Sequence, residues 1–268
     1  SSLLGAGVAT LLQLFPLKLG YIQTGSGLPV MMGLTYTFLP ICISVSIQYG
    51  LAALFGAQLI GAIASIFIGL IIPKVRKLFP PIVTGTIIVS IGISCFPTAA
   101  YNLAGGQGAA DVGALHNWVI GAIVILVIMI CSGYGKGLVN AAAILIGIIT
   151  GYVVALFWGI IDFSPVKEAA WFAAPKPLAF EIEFHWNFAL GFILLFFINA
   201  VEMTGDFTVS ATGGLGRQPK NSELRGGIIG NAIACAFSSI FNCFATGTYS
   251  QCSGIVALTK VCSRYVMG

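Results

Sequence analysis

"ATGTYSQCSGIVALTKVCSRY", residues 245–265, is apolar enough to continue a membrane helix, yet Gly247, Ser250, Gln251, Ser253 and Gly254 interrupt it. Breaks of this kind at membrane depth survive only where the freed backbone is buried in protein or lines a cavity. A second stretch, "GSGLPVMMGLTYTFLP" at 25–40, has the same character. Its "LTYTF" alternates small or polar with large residues, the period-two pattern of a strand, and Pro40 suits the first turn of a short helix. "ATGTYS" is similarly rich in Thr and Tyr, and Ser253 and Gly254 stand where a second short helix would start. Two discontinuous segments in separate parts of a membrane chain point to transporter repeats, with solute bound where half-helices meet.

The composition around these stretches fits. Hydrophobic residues fill 58% of 268 positions and charged residues 7%, against roughly a quarter charged in a soluble domain. The class is therefore an all-α polytopic membrane protein embedded in a lipid bilayer. The net charge of +4 is too dispersed for a nucleic-acid partner. The seven cysteines lie in apolar surroundings without CxxC spacing and read as reduced core residues. No residue cluster calls for a metal or other cofactor. The chain opens inside an apolar run without an initiator Met, which suggests a fragment.

A span needs about 20 mostly apolar residues. The expected spans are 3–17, 27–47, 49–73, 79–100, 115–133, 137–161, 187–207, 226–241 and 243–263. Alternating loops then sort the charges. One side receives Lys18, Lys74, Arg76, Lys77, Lys136, Arg217, Lys220, Arg225, Lys260 and Arg264, with Glu223 as its only acid. The other receives only Lys167 and Lys176, among Asp111, Asp162, Glu168, Glu181 and Glu183. This asymmetry predicts that the basic loops are cytoplasmic. Residues 162–186 read as an external loop, and His116 and His185, each beside a Trp, as interface residues.

Two acids remain, both in "INAVEMTGDFTVSATGG" at 198–214. Glu202 follows a long apolar run and Asp206 lies one helical turn on, so both carboxylates share a face. An acid at membrane depth is expensive and marks a substrate or proton pathway. Both are candidates for proton coupling.

Several motifs together resemble the nucleobase–ascorbate (nucleobase–cation symporter-2) transporters. The run Gln251-Cys252-Ser253-Gly254-Ile255-Val256-Ala257-Leu258-Thr259-Lys260 matches their signature except that Cys252 stands where the family has Asn. "GSGLPVMMG", "EMTGD" and "SRY" are also similar, in the family's order. The resemblance implies an inverted-repeat core/gate transporter with two short strand–half-helix segments, of which this chain would supply the second to tenth of fourteen spans. It assigns 1–73 and 187–268 to the core domain and 74–186, with the external loop, to the gate domain. It also implies a homodimer formed through gate domains, in the cell membrane.

On that resemblance Glu202 corresponds to the acid that hydrogen-bonds the nucleobase ring. Gln251 corresponds to the signature residue that reads the base edge, and its identity is of the xanthine or uric acid type. Phe38 corresponds to the aromatic that packs on the base, with Tyr36 as its competitor. Cys252 and Ser253 would complete the substrate site, and Gly254, Thr259 and Asn231 its supporting structure. Asn231 occupies a position where purine carriers usually have Asp. The implied function is proton-coupled symport of a purine such as xanthine or uric acid, with a uracil permease, or a non-nucleobase anion carrier of the same fold, as the alternative. Residue chemistry fits: a carboxylate accepts from ring N–H groups, and a Gln amide donates and accepts together. An enzyme would need a nucleophile with a base or a metal cluster, and neither is present in the sequence.

Overall fold

The computed structural model describes residues 2–19, 22–75, 81–106, 111–136, 138–161, 164 and 176–268. Arg76, Lys77, Asp162, Lys167, Glu168 and most of the expected external loop lie outside the described residues. The described chain is mostly helical and divides into two compact units, Ser1–Ser94 with Pro175–Gly268, and Cys95–Ala174.

The larger unit opens with helix α1 (Ser2–Leu14), a hairpin of strands β1 (Leu17–Leu19) and β2 (Ile22–Thr24), and strand β3 (Met32–Leu34). A 3-10 turn (Tyr36–Phe38) then leads into helix α2 (Leu39–Val75). The expected strand over "LTYTF" is displaced: only Leu34 of it belongs to a strand. The cause is Thr35, whose Oγ1 accepts from the Thr37 backbone N–H and so starts a helical turn instead.

Helix α2 is not one rod. Gly50 sits at φ 82, which is open to glycine and strained for other residues, and it breaks the helix. Residues 39–49 thus form a half-helix of about 16 Å, roughly half a bilayer core. The remainder, 51–75, is long enough to span.

The unit continues with α3 (Pro81–Ser94) and, after the smaller unit, α8 (Trp186–Val209), which passes into a π-helical turn at Ser210–Gly214. Helix α9 (Asn221–Ile240), strand β4 (Thr246–Thr248), α10 (Ser250–Thr259) and the short α11 (Arg264–Met267) complete it. Helices α8 and α9 both pack along α2. Phe192 and Phe196 of α8 close over Gly61, and Phe38 stacks on Phe192 and meets Phe196 at a tilt. The buried amide of Gln58 donates to Cys235 O, Ser239 Oγ and Cys243 O, tying α2 to the C-terminal end of α9. At the other end of α9, Gly226 and Gly230 leave room for the backbone of Gln23 and Gly25. The Gly25 N–H donates to Gly226 O at 2.7 Å, and Gln13 donates to Gly227 O at 2.6 Å.

The smaller unit holds α4 (Phe96–Leu103), α5 (Leu115–Tyr134), α6 (Leu138–Ala141) and α7 (Ala143–Phe157). Helix α7 lies on α5 through Gly147 and Gly151, which face Ile128 and Val124. Close approach of backbones at small residues is the usual way helices associate in lipid.

Among the described residues, three helical segments are long and apolar enough to cross a membrane: Tyr36–Lys74, Leu115–Tyr134 and Trp186–Gly214. Several expected spans are shorter or divided for local reasons. The 79–100 run is divided at Cys95, with Pro97 in the first turn of α4, and 137–161 is divided at Ala142. The 243–263 stretch spends its first part on β4, so α10 has only 10 residues.

Candidate functional site

Strands β3 and β4 pair antiparallel, with Met32 opposite Thr248, Gly33 opposite Gly247 and Leu34 opposite Thr246. Each strand runs directly into a half-helix: β3 into residues 36–49, and β4 into α10. The two half-helices therefore start from opposite ends of one short ladder. Glycine at the central pair has a packing reason. A Cβ on Gly33 would enter the Tyr249 ring, and one on Gly247 would lie 2.8 Å from Asn199 Oδ1 and 3.0 Å from Thr35 Cβ.

Helix α8 runs past this ladder and brings its two acids to it. Thr37 Oγ1 donates to Glu202 Oε2 at 2.8 Å, and Thr35 Oγ1 donates to Thr37 Oγ1 at 3.0 Å. One turn along, Asp206 Oδ2 accepts from Thr248 Oγ1 and from Ser250 Oγ, the latter at 3.0 Å. Each acid is thus bound to the start of a different half-helix. Asp206 is buried and Glu202 half-buried. Hydrogen bonds to a carboxylate contribute about 1.5–3 kcal/mol each and offset part of the cost of holding it away from water. Half-helix N-termini add favourable dipoles for negative charge or electron-rich carbonyl groups.

The remaining expected site residues fall into distinct settings. Gln251 is exposed and Cys252 half-buried in the first turn of α10. Ser253 is buried, and its Oγ has no hydrogen-bond partner among the described residues. Phe38 is only 1% exposed and lies in the aromatic core, whereas Tyr36 is 66% exposed. A Cβ at Gly254 would meet nothing, so this face of α10 is open. Thr259 closes α10: its Oγ1 donates to Ile255 O and accepts from Val261 N, and Lys260 ends the helix in the left-handed region at φ 55. The buried Asn231 accepts from Thr246 Oγ1 at 3.0 Å, which fixes β4 from the side of α9.

Reading the residues alone missed Thr37, Thr248 and Ser250 as partners of the acids. It also missed a cavity of about 740 Å³ between residues 37–41, α3 and α8. Thr37 lines this cavity, and none of the expected site residues does. The available signal was the spacing of Thr86, Ser90 and Ser94, which puts three hydroxyls along one side of the helix.

Comparison with known proteins agrees with the motifs. The Xan_ur_permease family model, described as Permease family, matches residues 1–268. The chain is 35% identical over 268 residues to the nucleobase transporter PlUacP of Paenibacillus larvae, covering 99% of this chain and 60% of that protein. It is 35% identical over 262 residues to the uric acid permease PucK of Bacillus subtilis, with 97% and 60% covered. It is 34% identical over 257 residues to the xanthine permease of Bacillus subtilis, with 95% and 57% covered. The chain thus spans about 60% of the length of these curated relatives. With its whole length matched and its apolar helices on view, this mostly helical membrane chain belongs to the Permease family, a family of carriers rather than enzymes.

Proposed function

We propose that the complete protein is a secondary active transporter that takes up a purine nucleobase, such as xanthine or uric acid, together with protons. The observation that carries this reading is the attachment of Glu202 and Asp206, one turn apart on α8, to the starts of two different half-helices. A base held at Glu202 would share that carboxylate with Thr37, so binding would tighten or release one half-helix. Protonation of Asp206 would act in the same way on the other. Gln251 would read the base edge from the first turn of α10, with Cys252 and Ser253 beside it. Phe38, packed against Phe192 and Phe196, would hold the first half-helix, and the exposed Tyr36 is the ring free to lie on a base.

The antiparallel β3–β4 pair favours an inverted-repeat architecture, because its local two-fold axis relates one strand–half-helix unit to the other. In this reading residues 1–73 and 187–268 are the core domain and 74–186 belong to the gate domain, through which two copies pair. The basic loops face the cytoplasm of a cell whose plasma membrane holds the protein.

The test is a competition panel in cells expressing the complete protein. Unlabelled xanthine and uric acid should suppress labelled purine uptake, and uracil should not. Suppression by uracil alone would transfer the assignment to the pyrimidine carriers of the family.

A further inference from the structure

On helix α3, Ile82, Val89 and Ile93 are strongly exposed. Thr86, Ser90 and Ser94 line the 740 Å³ cavity together with Thr37, Pro40 and Ile198. A volume of that order is typical of small-molecule sites.

The chemistry of these hydroxyls is specific. Thr86 Oγ1 donates to Ile82 O at 2.8 Å, and Ser90 Oγ donates to Thr86 O at 2.9 Å. Their protons are therefore engaged within the helix, and their lone pairs remain as acceptors for N–H groups. Across the cavity, Thr37 passes directly to Glu202 through its 2.8 Å hydrogen bond. A solute resting in the cavity is thus one side chain away from the acid.

Resting on the purine-carrier reading, we propose that this cavity is a staging subsite for the base before it reaches Glu202, and that Thr86 and Ser90 select solutes that present N–H donors. A flat base with several ring N–H groups matches a row of acceptors. Its analogues methylated at those nitrogens do not.

The test uses the full-length carrier in cells, with surface amounts measured for every variant. Ser90→Phe should lower influx of the base at least tenfold, and Ser90→Thr should keep it. Val89→Phe, at a position that does not line the cavity, should also keep it. Ser90→Ala should narrow the preference for the parent base over its N-methyl analogues. Because a Phe can disturb folding, Ser90→Cys supplies a second reading. A membrane-impermeant, hydrophilic thiol reagent should label it above the level of the parent's own cysteines, and saturating base should block that increment. Full influx in Ser90→Phe, or a Ser90→Cys that the polar reagent does not reach, overturns the proposal and leaves the groove to lipid. If Glu202→Gln still abolishes uptake in that case, the carrier reading stands without the subsite. If the parent moves no base at all, both fail.

Discussion

Thr37 and Glu202 lie far apart in the chain and 2.8 Å apart in space. Glu202 was visible in the sequence, and its meeting with Thr37 was not. The acid stands out because the cost of burial marks it, and Asp206 follows by helical spacing alone. A threonine in a polar-looking break has no comparable signature, and only the packing of α8 against the first half-helix gives it a partner. Thr37→Val removes a hydrogen bond to a carboxylate, worth about 1.5 kcal/mol or more. The expected result is a rise of about tenfold or more in the apparent KM for the base, with Thr37→Ser close to wild type. Uptake kinetics on full-length protein check this, and an unchanged KM in Thr37→Val would remove Thr37 from the site.

At the scale of elements, the break in each short segment was legible but its register was not. Period-two alternation predicts a strand over "LTYTF", whereas pairing of Gly33 with Gly247 draws the strand back to Met32–Leu34. Side-chain alternation cannot report where a partner strand lies, and a Thr that caps a helical turn imitates a strand residue. The kink at Gly50 agrees with the sequence boundary near 48, because a glycine at positive φ ends a helix wherever it falls.

The contact between α9 and the β1–β2 hairpin was invisible in sequence and gives a clear stability prediction. A Cβ on Gly226 would lie 2.5 Å from Gly25 O and 2.9 Å from Gln23 O, backbone atoms that cannot swing aside. Gly226→Ala should destabilise by about 1–3 kcal/mol. Gly254→Ala, where a Cβ meets nothing, should not. Melting temperatures of the purified protein in detergent distinguish them.

The start of α9 adds a pH-dependent term. Glu223 accepts from the Lys220 N–H at 2.8 Å and pairs with both terminal nitrogens of Arg217. Partial burial pushes its carboxyl up, but the hydrogen bonds from Arg217 and Lys220 and their charges outweigh it and leave it below the usual glutamate range. A lowered folded value means that the stabilisation is complete above the ordinary glutamate range and disappears as pH falls through the lowered one. Glu223→Gln should cost on the order of 1 kcal/mol at neutral pH and nothing at strongly acid pH. A melting-temperature series against pH would contradict this if wild type and variant ran parallel throughout.

For the whole molecule, the account rests on two acids on one helix that hold two half-helices from opposite ends of a single ladder. Apolar runs announce a membrane protein from the sequence, and its motifs announce a carrier. The joining of segments more than two hundred residues apart does not emerge until β3 and β4 pair. The direct measurement is accumulation of radiolabelled xanthine and uric acid by cells making the complete protein, at acid and at alkaline external pH, beside Glu202→Gln present at equal surface density. The account predicts that one purine accumulates, more strongly at acid pH, and that Glu202→Gln abolishes the accumulation. Equal accumulation by the variant and its parent would contradict it.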